Sequence, residues 1–384
     1  MRTLAIAFLG FLLLASGISS AATLRVPSQF ATIQAAADFC ANGDTILVAP
    51  GVYAGDRAVL VNKASITIIG ESGRDYTFVP DGIFALYPTC SGCTIKGFTV
   101  PVLIFFGSSD CSVSECDLGY VGVNTDISEC YNISIIGNRI HEYPPKNYGI
   151  EIRGHSIIIE ANDIRNCTGG GISLTGLGPE TSRIQNNTIV SNNGEGILVS
   201  GVAIVEGNVI EKNTSAGVRI SWVSGGTTII KENIIVENVG DGILFASFTE
   251  IAHNTIARNG SCGMRTQGGS TGDIHHNLIA LNGYAGVLAY EGFNATIRCN
   301  DVWKNSNLPN GNYIGFVPDQ TGFNGNISTD PFFCNASGGV YSLAANSPAL
   351  HASCGIMGAI ATPGCSNQTA VEHLSWGKIK ELYK

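Results

Sequence analysis

One six-residue frame recurs along the chain: apolar, two residues, Asn, one residue, Ile or Val. It occupies residues 135–140, 159–164, 184–189, 205–210, 230–235, 251–256, 274–279 and 297–302. Its asparagines are Asn138, Asn162, Asn187, Asn208, Asn233, Asn254, Asn277 and Asn300, spaced by 24, 25, 21, 25, 21, 23 and 23 residues. A second Asn series follows five residues later: Asn192, Asn213, Asn238, Asn259, Asn282 and Asn305. A Gly-apolar-x-apolar stretch comes next, at Gly149, Gly171, Gly196, Gly217, Gly242, Gly263 and Gly286. From Asn162 onward the interval from frame Asn to this Gly is always 9 residues.

A fixed period of this length is the mark of a solenoid. Each period holds three short strands, and none can bury a face alone. Stacking like strands buries one continuous core, with alternate residues pointing inward. Asn at a corner tolerates unusual backbone angles and bonds to nearby peptide groups, and stacked Asn side chains also bond between rungs. Gly permits the next bend. Leucine-rich repeats need a Leu-x-x-Leu-x-Leu frame that is absent, and propellers need periods near ~40 residues. The expected fold is therefore all-β: a single-stranded right-handed parallel β-helix with three short strands per rung. Residues 32–38 read as an N-terminal capping helix. Asn187, Asn208, Asn233, Asn254 and Asn277 should line up along one edge, with neighbours roughly 4.8 Å apart.

Composition agrees. Charged residues make up 13% of the 384, against a usual ~25%, while the chain carries 48 Gly and 31 Asn. Small neutral groups thus supply the polar surface. A net charge of -9 without a basic run makes nucleic acid and anionic membranes poor partners. Residues 1–21 read as a secretory signal: Arg2, an apolar core over 4–15 and small residues at Ser19, Ser20 and Ala21. The apolar run is short for a membrane span. Domain bounds follow as 1–21 leader, 22–365 β-helix with its caps, and 366–384 a helix-patterned tail. A secreted or cell-surface monomer is expected. Cys90 and Cys93 read as a disulfide or a core pair, and Cys334, Cys354 and Cys365 as staples of the last rung.

The segments Thr32-Ile33-Gln34-Ala35-Ala36 and Gly43-Asp44-Thr45-Ile46-Leu47-Val48-Ala49-Pro50-Gly51-Val52-Tyr53, with the Asn and Gly series, resemble the pectin-lyase-like superfamily over about residues 24–361. The resemblance implies the fold and leaves activity to motifs. Polygalacturonase-like members use Asn-Thr-Asp, Asp-Asp and Gly-His-Gly. This chain has Asn124-Thr125-Asp126 and Gly154-His155-Ser156 but no Asp-Asp, and it lacks the Asp-Pro-His-Glu of the mannuronan epimerases.

Aligning rungs on the Gly strand gives readable columns. Just before the Gly stand Tyr148, Gly170, Glu195, Ala216, Asp241, Cys262 and Ala285. Two residues after it, facing outward, stand Glu151, Ser173, Leu198, Arg219, Leu244, Arg265 and Leu288. Glu195 and Asp241, two rungs apart, are the candidate catalytic carboxylates. At two rungs their backbones should stand about 9.6 Å apart, from which the side chains could bring the carboxyls into the ~6.5–9.5 Å window of an inverting glycosidase. Arg219 and Arg265 are candidate ligands for a sugar carboxylate, and Trp222 and Tyr290 for sugar rings. The residue before each frame Asn runs Asn186, Gly207, Glu232, His253, His276 and Cys299, with His275 alongside. No cofactor is required, but His253 and His276 would suit a divalent metal. The expected partner is an extracellular polysaccharide. The sequence leaves open whether it is cleaved, by a hydrolase or a lyase route, and the alternative is a non-catalytic surface or structural solenoid.

Overall fold

The computed structural model describes residues 21–123, 129–141, 148–176, 180–221, 226–306 and 310–368. Over these the chain is a right-handed parallel β-helix. One rung runs Ala203–Glu206, Val209–Glu211, Val218–Ile220, and the next runs Thr228–Lys231, Ile234–Val236, Ile243–Phe245. Each strand pairs in parallel with its counterpart one rung on, as in Val205 to Ile230, Ile210 to Ile235 and Val218 to Ile243. The first face is a 13-stranded parallel sheet. The second face is built from the strands after the frame Asn, and the third from the strands that start at the recurrent Gly.

Inward positions hold a β-branched apolar residue, almost always Ile, in each of two columns. Ile135, Ile159, Ile184, Val205, Ile230, Ile251 and Ile274 are all fully buried beneath the first face. Ile140, Ile164, Ile189, Ile210, Ile235, Ile256 and Ile279 form the matching column of the second face. Burying one such side chain is worth about 1.5–3 kcal/mol, so the stacked columns are the main cohesive term.

The corners refine the sequence expectation in two ways. The residue in left-handed conformation is the one before each frame Asn, not the Asn itself: Ala161, Asn186, Glu232, His253, His276 and Cys299 have φ of 54–58°. The Asn behind it turns inward and is buried. Nδ2 of Asn187 donates to Oδ1 of Asn208 at 3.0 Å, and Nδ2 of Asn208 to Oδ1 of Asn233 at 2.9 Å. The ladder continues through Asn254, Asn277, Asn300 and Asn326. Each Oδ1 also accepts the preceding Asn backbone N–H, so a buried amide that would be costly alone is satisfied.

The recurrent glycines are needed for closeness rather than for bending. A Cβ on Gly217 would lie 2.4 Å from Cγ2 of Ile235, 2.8 Å from the Gly242 carbonyl and 2.9 Å from Nδ2 of Asn238. The second Asn series stacks directly against these glycines, with Asn213 Nδ2 donating to Asn238 Oδ1 at 2.9 Å.

The ends are closed differently. The helix Ile33–Phe39, N-capped by the Thr32 side chain, lies over the first rung and buries Ile33, Ala36 and Ala37. At the other end, disulfides join Cys299 to Cys354 and Cys334 to Cys365. Cys90 and Cys93 are free, buried core thiols. No described helix is long and apolar enough to cross a membrane. Residues 1–20 of the expected leader, Asn124-Thr125-Asp126 and the tail from 369 lie outside the described residues.

Candidate functional site

The outward column of the third face is in unbroken register: Glu151, Ser173, Leu198, Arg219, Leu244, Arg265 and Leu288 pair in sequence. Parallel stacking places one residue of each rung over its equivalent in the next, so this column is a track along the solenoid axis. Glu195 and Asp241 occupy the turn beside it. Gly196 N–H bonds to the Ala216 carbonyl and Gly217 N–H to the Asp241 carbonyl, which puts the two acids two rungs apart.

Each acid pairs with the arginine one rung further on. Arg219 Nη1 lies 3.3 Å from Oε1 of Glu195. Arg265 Nη2 pairs with Oδ2 of Asp241, whose Oδ1 accepts the Cys262 backbone N–H at 3.0 Å. The result is a row of alternating negative and positive groups with a two-rung period. The pairs differ in burial. The Asp241 side chain is 1% exposed and both its oxygens are engaged, whereas Glu195 is 17% and Arg219 42% exposed. Nε of Arg265 is buried without a hydrogen-bond partner. Arg219 therefore serves Glu195, and Asp241 is held by Arg265.

Two tyrosines complete the site, and the sequence argument passed over both. Tyr148 Oη donates to Oε2 of Glu195 at 2.8 Å. To reach it, the phenol crosses the intervening rung, where a Cβ on Gly170 would lie 2.2 Å from its Cε1. The signal was present in the column Tyr148, Gly170, Glu195: a long donor, a gap and an acceptor. Tyr120 likewise lies over Gly122, which pairs with Glu151. Burial raises both phenol pKa values, and so keeps both hydroxyls protonated.

Glu151 and Glu195 are pushed in opposite directions. Burial raises the pKa of Glu151. Burial acts the same way on Glu195, but hydrogen bonds from Tyr148, its own backbone N–H and Arg219 outweigh it and leave the pKa lowered. Tyr290 is 47% exposed, just beyond the strand Ala285–Ala289. Trp222 lies outside the described residues.

The His column occupies a different edge, between the first and second faces. His253 and His276 stack with ring centroids 4.8 Å apart and planes at 14°, and His275 meets His276 edge-on at 5.2 Å. Cys299 is oxidised with Cys354, so it offers no thiolate. Burial, then the neighbouring imidazoles, lowers the pKa of His253; burial, then Arg298, lowers that of His275.

Residues 88–259 match the family described as "Periplasmic copper-binding protein (NosD)", a span that stops short of His275 and His276. Residues 222–326 match the right-handed β-helix region family. No curated protein matches the chain significantly. Among solved structures, the chain resembles the A-module of the Azotobacter vinelandii mannuronan C-5 epimerase AlgE4. That likeness has 12% identity and a TM-score of 0.50, and covers 75% of this chain and 91% of the module. The PL6 family alginate lyase AlyGC is similar at 14% identity and TM-score 0.47, over 82% of this chain and 54% of that one. At such identities the likeness is one of fold.

Proposed function

We propose that this chain, which belongs to the pectin-lyase-like superfamily of right-handed parallel β-helices, binds an acidic extracellular polysaccharide along the outer track of its third face. The carrying observation is the alternating row of Glu195, Arg219, Asp241 and Arg265, in register and on consecutive rungs. Arg219 and Arg265 stand two rungs apart, about 9.6 Å. An extended glycan laid along the axis would present carboxylates at such a repeat. Each guanidinium is partly exposed beyond its acid partner, and the half-buried Leu198 and Leu288 of the same column offer apolar rests, while Leu244 is buried. Bidentate Arg–carboxylate bonds then supply both affinity and orientation. A secreted or cell-surface setting, with residues 1–21 as leader, belongs to this reading.

The test is retention of a soluble polyuronate at low ionic strength. Arg219→Ala should weaken binding roughly 10-fold or more, the worth of a charge-assisted hydrogen bond. Glu195→Gln should strengthen it, because the acid competes with the glycan for the same guanidinium. Added salt should weaken binding in the wild type. If the protein retains no acidic glycan at low salt, the row is a self-neutralised surface and the chain is a structural solenoid.

Cleavage is a second reading, favoured by one observation. Carboxyls whose surroundings push their pKa values apart are suited to acid and base roles. Glu151, raised by burial, and Glu195, lowered by its bonds, lie two rungs apart on this track. Asp241 suits the work less well, being buried with both oxygens occupied. Under this reading Glu151→Gln abolishes release of reducing ends but leaves polyuronate retention intact.

A further inference from the structure

The histidine cluster carries an inference independent of the glycan track. It lies where the column before the frame Asn meets the C-terminal cap. Nε2 of His276 is 2.8 Å from the carbonyl oxygen of Cys354. A carbonyl can only accept, so this nitrogen carries the proton, and Nδ1 of the neutral ring bears the lone pair. Nε2 of His275 faces Glu250 Oε1 at 3.6 Å and Asp273 Oδ2 at 3.8 Å, which favour a proton on the same atom. Both Nδ1 atoms are then bare, yet they face each other at 3.0 Å.

Two lone pairs at that distance repel unless an electrophile sits between or beside them. A proton on Nδ1 of His275 would also bridge them, but only by leaving Nε2 of that ring bare towards the carboxylates of Glu250 and Asp273. A metal ion answers the need without doing so. Imidazole ligands bind Zn²⁺ at ~2.0–2.1 Å, and two of them at an angle between square and tetrahedral place their nitrogens about 2.9–3.4 Å apart. The observed spacing falls in that window. His253 brings a third nitrogen, all three ligand atoms lying within 4.8 Å of one another, and its ring, now stacked on His276, has to turn about its Cβ–Cγ bond to aim a lone pair at the same ion. The outer nitrogens already have the carbonyl and carboxylate partners that orient metal-binding imidazoles.

We propose that His275 and His276, through Nδ1, and His253 hold one late divalent transition-metal ion of the Cu²⁺ or Zn²⁺ class. The ion would fasten the last rungs to the cap, because His276 is bonded to Cys354 and its own carbonyl accepts the Gly358 N–H. Neutral nitrogen donors select this class over Mg²⁺ and Ca²⁺, which prefer oxygen.

The test uses the untagged full chain, stripped with chelator and titrated calorimetrically with Cu²⁺, Zn²⁺ and Ca²⁺. One Cu²⁺ or Zn²⁺ per chain is expected, with a rise in Tm by linkage, nitrogen hyperfine structure in the Cu²⁺ spectrum and no response to Ca²⁺. His275→Gln should weaken binding roughly 100-fold, and Glu250→Gln about 10-fold through the loss of its orienting role. Circular dichroism of each metal-free variant, matched to wild type, keeps misfolding apart from lost ligation. Absence of stoichiometric Cu²⁺ or Zn²⁺ binding overturns the proposal. So does a folded His275→Gln variant that binds as tightly as wild type.

Discussion

The central rungs and the entry rungs solve the same corner with different chemistry. In register, the position of Asn138 is held by Cys116 one rung earlier and by Phe98 before that. All three are buried. Phe98 and Cys116 fill the corner as largely apolar bodies that need no partner side chain above or below. From Asn138 onward it is filled by amides that need partners above and below. Cys116 makes the transition: its backbone N–H bonds to Oδ1 of Asn138 at 3.0 Å, while its thiol donates to the Ser114 carbonyl. Cys167 opens the second Asn series in the same manner, through its N–H to Oδ1 of Asn192. A polar ladder is stable only when continuous, and its first member sits beneath a residue that asks for no amide.

This contrast can be broken at its strongest point. Asn208→Ala removes the acceptor for Asn187 N–H and Nδ2, and the donor to the Ile184 carbonyl and to Asn233. Several buried groups lose partners at once, so a loss of roughly 3–5 kcal/mol is expected. Urea unfolding would give the size. Hydrogen exchange should place the lost protection on the flanking rungs, since each rung contacts only its neighbours. A loss under 1 kcal/mol would mean that water replaces the ladder.

Gly217→Ala tests the closeness on which the second series depends. The added methyl meets Ile235 and the Gly242 carbonyl within 2.8 Å. Overpacking of about 1–3 kcal/mol should follow, read as a lowered denaturation midpoint. The same change at Gly43, where nothing lies within 4 Å but φ is +89°, would cost only its backbone strain.

The last rung sharpens the comparison through pH. Burial raises the Asp301 pKa from 3.8 to about 7, although Thr329 donates to it from both backbone and hydroxyl. The folded state therefore holds a proton that the unfolded chain releases near pH 4. The resulting stability is complete below pH 4 and falls away as pH rises to about 7, where the folded carboxyl also ionises. Asp301→Asn should flatten that slope in thermal melts between pH 4 and 7. An unchanged slope would show that another group titrates.

The smallest effect is expected at the entry rungs. Cys116→Ala leaves the backbone bond to Asn138 in place and costs about 1 kcal/mol. A loss matching that of Asn208→Ala would erase the distinction between apolar and amide corners.

Parts of the candidate site were legible in the sequence because parallel stacking is one residue on one residue. Counting from the recurrent Gly put Glu195 and Asp241 two rungs apart and Arg219 and Arg265 in one outward column, as the register has them. It could not show which acid each arginine chooses. It also missed that Tyr148 passes over Gly170 to Glu195, because side-chain reach is set by rotamer and by empty space on the neighbouring rung.

The sequence by itself determined the solenoid, its rung boundaries, its core columns and the capping helix, all of which follow from a local period repeated many times. The tertiary structure decided where the corner amides point, which cysteines join and which nitrogen of His276 is bare. His276 owes its tautomer to a carbonyl 78 residues away at Cys354, and Cys299 finds its sulfur partner 55 residues on. The physical reason is range. Periodicity fixes what a residue stacks upon, one turn away, while the cap returns over the corner by a path that no repeat encodes.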